Sequence, residues 1–258
     1  MSLFTAHWHS QILGKATTAQ ILFPDAGKPP FPTLYLLHGL SDDSTMWLRR
    51  TRLEAYAASL PFIIVMPDGY RGFYTDNEQG PAYARHIGEE LPAFIERTFP
   101  AIPSRDARAL SGLSMGGYGA LRIGLGYRDR FCSVHSHSGA VGWGQNEKIE
   151  TLAKSPGCEG RFVAEMLRVY GPSPGGTDHD LLTLAKRAKT ARKLPKILLD
   201  CGKEDFLLKD NRAFVKELRV AKIPHSYHEY PGGHDWGYWD THIRQALAFH
   251  RKNLSGTH

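Results

Sequence analysis

Five short apolar runs, each closed by glycine, proline or a polar turn, alternate with stretches whose apolar residues recur at helical spacing. The runs are Thr33 to Leu37, Phe62 to Met66, Ala107 to Leu110, Phe131 to Val134 and Lys196 to Cys201. Between and after them, Thr45 to Ala58, Ile87 to Phe99, Met115 to Tyr127, Leu208 to Ala221 and Tyr238 to Asn253 follow the period of a helix packed on one face. Parallel strands cannot be joined by a tight turn; they need a crossover, which is usually helical. The rhythm therefore predicts an α/β fold with a mostly parallel central sheet flanked by helices. Pro92 interrupts the second helical stretch, where a kink or a fresh helix start is expected.

The first thirty residues follow a different pattern. Phe4 to Ile12 and Thr18 to Phe23 alternate apolar and polar residues before the Lys28-Pro29-Pro30 break, which predicts an antiparallel hairpin on the sheet edge. Gly142 to Asp180 is rich in glycine, proline and charge and reads as an insertion, a small lid over one end of the sheet. A chain of 258 residues would bury about 70% of its unfolded surface, so residues 1–258 are expected to form one domain around one large core. No apolar run reaches the roughly 20 residues of a spanning helix, and the start, Met1 to Gly14, lacks a basic segment followed by an apolar one. Cys132, Cys158 and Cys201 are too scattered for a disulfide framework. A soluble, cytoplasmic protein with no membrane partner is expected.

The formal charge is +6, and six basic residues, Lys186, Arg187, Lys189, Arg192, Lys193 and Lys196, occupy one acid-free segment. With Leu181, Leu184 and Ala188 facing inward, the segment reads as a solvated helix face and its exit loop. A polyanion site is the sharper alternative, but no aromatic residues interleave the charges to stack on bases, so no nucleic-acid partner is expected.

Gly112-Leu113-Ser114-Met115-Gly116 is a G-x-S-x-G pentapeptide, weak alone but set between a strand candidate and a helix candidate. A serine on so sharp a turn presents its hydroxyl at the sheet end, and flanking glycines remove side chains that would clash. A nucleophilic serine needs a base and an acid that orients the base, and in this arrangement they follow in the order Ser, acid, His. Asp205 stands in the turn after the Lys196 to Cys201 strand, and His234 in the loop Tyr230-Pro231-Gly232-Gly233 before the last helix. Glu204 is the weaker rival acid, Asp200 lies inside the strand, Asp235 adjoins the base, and His242 and His250 belong to the final helix. The loop Leu37-His38-Gly39-Leu40 should supply the second oxyanion donor, so the backbone N–H groups of Leu40 and Met115 form the expected oxyanion hole, with His38 holding the loop. His7-x-His9, His135-x-His137 and His225-x-x-His228 are joined by no acid or cysteine cluster at ligand spacing, so no metal is expected. Trp47, Phe73, Trp143, Phe206 and Trp236 fall in loops near strand ends and are the candidate pocket walls.

Together these motifs resemble the esterase D family of putative esterases, and within it the compact tributyrin-esterase type of bacterial carboxylesterase. The resemblance is carried by Leu37 to Leu40 with Trp47 downstream, Met66 to Gly69, Phe73 to Asp76, Ser111 to Ala120, and Gly233 to Trp239, and it covers nearly the whole chain. It implies an α/β-hydrolase fold, Ser114 as nucleophile with Asp205 and His234 as partners, and short acyl esters as substrates, with no cofactor. The family also holds S-formylglutathione hydrolases, feruloyl and acetylxylan esterases, and mycolyltransferases. Residues 67–80 lack the usual pattern of the glutathione thioesterases. The expectation is a serine carboxylesterase acting on a small-molecule ester through an acyl-enzyme. The alternatives are a thioesterase or sugar-ester deacylase on the same triad, or a non-catalytic polyanion binder using residues 186–196, and homo-oligomer formation stays open.

Overall fold

A computed structural model of the chain describes residues 1–145, 149 and 160–256. The described residues form one eight-stranded sheet in the order β1-β2-β4-β3-β5-β6-β7-β8. Its strands are β1 (Ser2–Ser10), β2 (Lys15–Phe23), β3 (Thr33–Leu37), β4 (Ile63–Pro67), β5 (Arg108–Leu113), β6 (Ser133–His137), β7 (Lys196–Gly202) and β8 (Ser226–Tyr230). β1 and β2 form the expected antiparallel hairpin, β2 joins β4 antiparallel, and every other pairing is parallel.

Helices α1 (Met46–Arg50), α2 (Leu53–Ala57), α3 (Tyr83–Arg85), α4 (Leu91–Thr98) and α5 (Met115–Gly126) precede the insertion. After them come α6 (Arg161–Tyr170), α7 (Leu181–Thr190), α8 (Leu208–Val220) and α9 (Trp236–Asn253). Strand alternation divides the core between the two faces of the sheet. Tyr35 and Leu37 pack with α4, α5, α7 and α8, whereas Leu34 and Leu36 pack with α1, α2 and α9. Both faces of β3, β4 and β5 are therefore buried, which is why these strands read as continuous apolar runs.

The structure refines the sequence reading at four places. The stretch 45–58 is two helices, because the Thr51 hydroxyl donates to Trp47 O at 2.5 Å and accepts from Leu53 N–H at 3.1 Å, ending one helix and starting the next. Residues 86–90 form a π-helical turn, and α4 starts afresh with Pro92 in its first turn, where the missing N–H costs nothing. The strand expected at Phe131 to Val134 lies at Ser133–His137, and its polar residues are buried. β8 shows no apolar run: Ser226-Tyr227-His228-Glu229-Tyr230 is a half-exposed edge strand.

Of the expected insertion at 142–180, residues 146–148 and 150–159, including Cys158, lie outside the described residues. The rest comprises a 3-10 turn at Trp143–Gln145, α6 and a loop ending at Asp180. Asp180 caps α7 by accepting from Leu182 N–H at 2.9 Å. Leu181, Leu184 and Ala188 of α7 are buried as the basic-segment reading requires. Arg187 pairs with Asp178 at 2.6 Å, Lys193 pairs with Asp129, and Lys189 donates to Ala221 O at 2.8 Å.

Candidate active site

Ser114 stands between β5 and α5 with φ +52° and ψ −116°, a left-handed backbone that a non-glycine residue adopts at a cost. A Cβ on Gly116 would lie 2.5 Å from Leu37 O and 2.6 Å from His38 O, so only glycine lets the turn press against β3. The turn is held through its main chain: Ser114 N–H donates to His137 O at 2.9 Å, and Ser114 O accepts from Ala140 N–H at 3.0 Å. The Ser114 amide is thereby engaged, and the next amide, Met115 N–H, opens α5 directly after it.

Asp205 and His234 come from the turns after β7 and β8, at the same carboxyl edge of the sheet. Asp205 Oδ2 accepts from His234 Nδ1 at 2.8 Å, and His234 Nε2 lies 2.9 Å from Ser114 Oγ. The other Asp205 oxygen accepts from Leu207 N–H at 2.7 Å. Burial alone would raise the Asp205 carboxyl pKa, but the hydrogen bond and charge of His234 and the Leu207 amide outweigh it and hold the pKa below the ordinary range. An ionised Asp205 fixes the proton on Nδ1, leaving the Nε2 lone pair directed at Ser114 Oγ.

The rival residues are occupied elsewhere. Glu204 accepts from Gly232 N–H at 2.5 Å, and Asp235 caps α9 by accepting from Tyr238 N–H at 3.0 Å. His250 is buried against Ser133 at 2.9 Å, and His242 stacks on Tyr230 with centroids 4.3 Å apart. His38 is 1% exposed, and its Nε2 accepts from Gly69 N–H at 2.9 Å, so its proton sits on Nδ1, which donates to Gly39 O at 2.8 Å. It therefore ties the Leu37 to Leu40 loop to the loop after β4. The Leu37 to Leu40 loop lies against Ser114, since a Cβ on Gly39 would be 3.7 Å from Ser114 Cβ. Arg71 braces the next residue, donating to Ser41 Oγ at 2.5 Å while it grips both Glu165 oxygens of α6 at 2.6 Å.

The five candidate wall residues separate. Trp47 and Phe73 are 1% and 2% exposed and present no surface to a ligand, a correction to the sequence expectation. The Trp47 indole donates to Leu37 O at 3.1 Å, and Phe73 packs on Tyr118 and Tyr170, so the apolar core claims both rings. Phe206 is 76% exposed with its ring 4.6 Å from the His234 ring, while Trp236 and Trp143 are half-buried. Trp239 meets the His234 imidazole edge-on at 4.9 Å. Sequence reasoning missed it as a site residue, because one buried position on a helix carries no sign of what it touches.

One expectation about the histidines is overturned. Asp200 does join His135 and His137, across the β6–β7 register where His137 faces Asp200. His135 Nε2 lies 2.7 Å from Asp200 Oδ2 and His137 Nδ1 lies 3.0 Å from Oδ1. These are proton-sharing distances; ligands around a shared tetrahedral cation with bonds near 2.1 Å would stand about 3.4 Å apart. The cluster accordingly reads as a hydrogen-bonded hub. Spacing within one strand could not reveal an acid supplied by the next.

A family model described as putative esterase matches residues 10–250. An acetyl esterase from Caldicellulosiruptor saccharolyticus is 31% identical over 266 residues, covering 98% of this chain and 99% of the relative. Among solved structures, the Staphylococcus aureus fluorophosphonate-binding serine hydrolase F superposes with TM-score 0.84 at 29% identity, covering 96% of this chain and 98% of that one. An S-formylglutathione hydrolase from Staphylococcus aureus superposes with TM-score 0.82 at 30% identity, with the same coverage.

Proposed function

The chain belongs to the putative esterase family and is a carboxylic ester hydrolase of the α/β-hydrolase fold, and from that premise we propose that Ser114, His234 and Asp205 are its catalytic triad. The observation that carries this reading is the unbroken chain from Asp205 to His234 at 2.8 Å and from His234 to Ser114 at 2.9 Å. His234 takes the Ser114 proton as Oγ attacks the ester carbonyl. The N–H groups of Leu40 and Met115 receive the oxyanion, each lowering the barrier by about 3 kcal/mol. His234 then protonates the departing alcohol, and water repeats the sequence on the acyl-enzyme to release the acid.

The substrates are short acyl esters. The exposed Phe206 ring beside His234 favours an apolar acyl or alcohol group there, the half-buried Trp236 and Trp143 stay further wall candidates, and the acetyl esterase relative supports the short chain. The whole chain acts as one catalytic domain, and the described residues of the 142–180 insertion, 142–145, 149 and 160–180, form a small cover on the sheet end. That placement is supported by the ring contacts of Phe73 with Trp143 and Tyr170 at 6.2 and 5.5 Å. No helix among the described residues is long and apolar enough to cross a membrane. Cys132 and Cys201 are buried free thiols, which supports the cytoplasm as the working compartment.

A panel of acetyl, butyryl, octanoyl and feruloyl esters with S-formylglutathione, run beside Ser114→Ala, tests this. Acetyl and butyryl esters should give the highest kcat/KM, and Ser114→Ala should abolish turnover. Preference for S-formylglutathione would move the assignment to the thioesterase branch, and turnover surviving Ser114→Ala would end the triad reading.

A further inference from the structure

The polar hub of His135, His137 and Asp200 lies beneath the nucleophile turn and takes no part in the triad or the oxyanion hole. Asp200 is 2% exposed and both imidazoles are fully buried. A carboxylate so placed persists only if its lone pairs are filled. Three donors fill them: His135 Nε2 at 2.7 Å, His137 Nδ1 at 3.0 Å, and the Tyr238 hydroxyl at 2.7 Å. Ser111 Oγ lies 2.9 Å from His135 Nδ1, which extends the network to β5 three residues before the nucleophile.

Each arm of the hub ends on backbone that carries one triad residue. His137 O accepts the Ser114 N–H at 2.9 Å, so the residue bonded to Asp200 by its side chain anchors the nucleophile turn by its main chain. Asp200 O accepts Ser138 N–H at 2.7 Å, and its strand runs directly into the Gly202–Asp205 turn. Tyr238 sits in the first turn of α9 just after His234, with its N–H on Asp235 at 3.0 Å. Its ring supports the histidine loop, since a Cβ on Gly232 would come within 2.9 Å of it. The acid and histidine turns are joined to each other by Glu204 N–H on Gly232 O at 3.1 Å. The buried carboxylate on β7 adds a bond to Tyr238 after the histidine loop and a bond to His137 of the strand that anchors the serine.

We propose that Asp200 is a positioning residue for ester hydrolysis, holding the nucleophile turn, the acid turn and the histidine loop in mutual register through His137 and Tyr238. The proposal rests on the triad assignment above. Acyl transfer falls steeply when reacting groups shift by fractions of an ångström, so loosening the hub should slow chemistry while leaving substrate contacts in place.

The test uses the full chain, with active sites counted by a fluorophosphonate and kcat and KM measured separately on p-nitrophenyl butyrate, in Asp200→Asn and Tyr238→Phe. Both variants should lose kcat on the order of 10- to 100-fold with KM within about twofold. The double variant should lose little more than the worse single one, because both cut the same network. A structural role alone predicts a lower melting temperature with kcat per titrated site unchanged well below it, and that result would overturn the proposal. If Asp200→Asn does not fold, Tyr238→Phe, which deletes one hydroxyl, decides by itself. An inactive Ser114→Ala beside wild-type kcat in Tyr238→Phe refutes the hub alone; an active Ser114→Ala removes the triad and the hub together.

Discussion

Acidification from pH 7.5 to pH 5 should cost the fold about 2 kcal/mol through His135. The His135 imidazole is pushed down to about 4, chiefly by burial, with the neighbouring His137 charge adding to the shift and Asp200 opposing it. Its folded pKa lies below the unfolded value of 6.5. The unfolded chain therefore takes up the proton first as pH falls, and this stability is complete above about 6.5 and is lost toward about 4. At pH 5 the unfolded imidazole is nearly fully protonated and the folded one scarcely so. The difference approaches 1.5 pH units at about 1.4 kcal/mol each, close to 2 kcal/mol. His250 and His242 are also depressed, first by burial and, for His250, by the charges of His135 and His137, so they add in the same direction. Asp200 and Asp205 are held below the ordinary carboxylate range, so their contributions stay intact until pH falls below about 4, outside this window. Urea unfolding followed by tryptophan fluorescence at pH 7.5, 6.5, 5.5 and 5.0 reads the slope directly, provided m stays constant. His135→Gln should remove about one proton's worth of it. Equal stability at pH 7.5 and 5.0, or an unchanged slope in His135→Gln, would refute the reasoning.

Two further outcomes concern catalysis. Asp205→Asn should keep the spacing to His234 but present the wrong tautomer to Ser114, lowering kcat by about 10⁴ with little change in KM, as read by steady-state kinetics. Phe206→Ala should leave stability within about 0.5 kcal/mol, since the ring is 76% exposed. The same change should lower kcat/KM for butyryl esters about fivefold, the loss of ~1 kcal/mol of contact beside His234; an unchanged kcat/KM would remove Phe206 from the acyl site.

The parallel strands and their helices were legible because burial on both faces writes itself as apolar runs, and β3 falls where its run does. Ser114, Asp205 and His234 were legible for a related reason: each occupies a turn after a strand, and chain order fixes which turn is which. β8 was not, because an edge strand pairs on one side only and can be made of serine, tyrosine, histidine and glutamate. Loop position did not separate Trp47 and Phe73, which the core absorbs, from Phe206, which stands in the open against the imidazole. Exposure is a property of the assembled packing and has no local signature.

The sequence by itself determined the α/β architecture, the sharp turn at Ser114 and the chain order that puts Asp205 and His234 in later turns, because strand burial, turn strain and chain order are local or sequential properties. Only the tertiary structure decided that Asp200, which the sequence presents as one more residue inside a strand, would meet His135, His137 and Tyr238. Those partners come from two other elements, and their meeting depends on the register of β6 against β7 and on where α9 lands. Register and docking are set by the whole core at once, so a contact between chemically ordinary residues far apart in sequence exists only after the fold has formed.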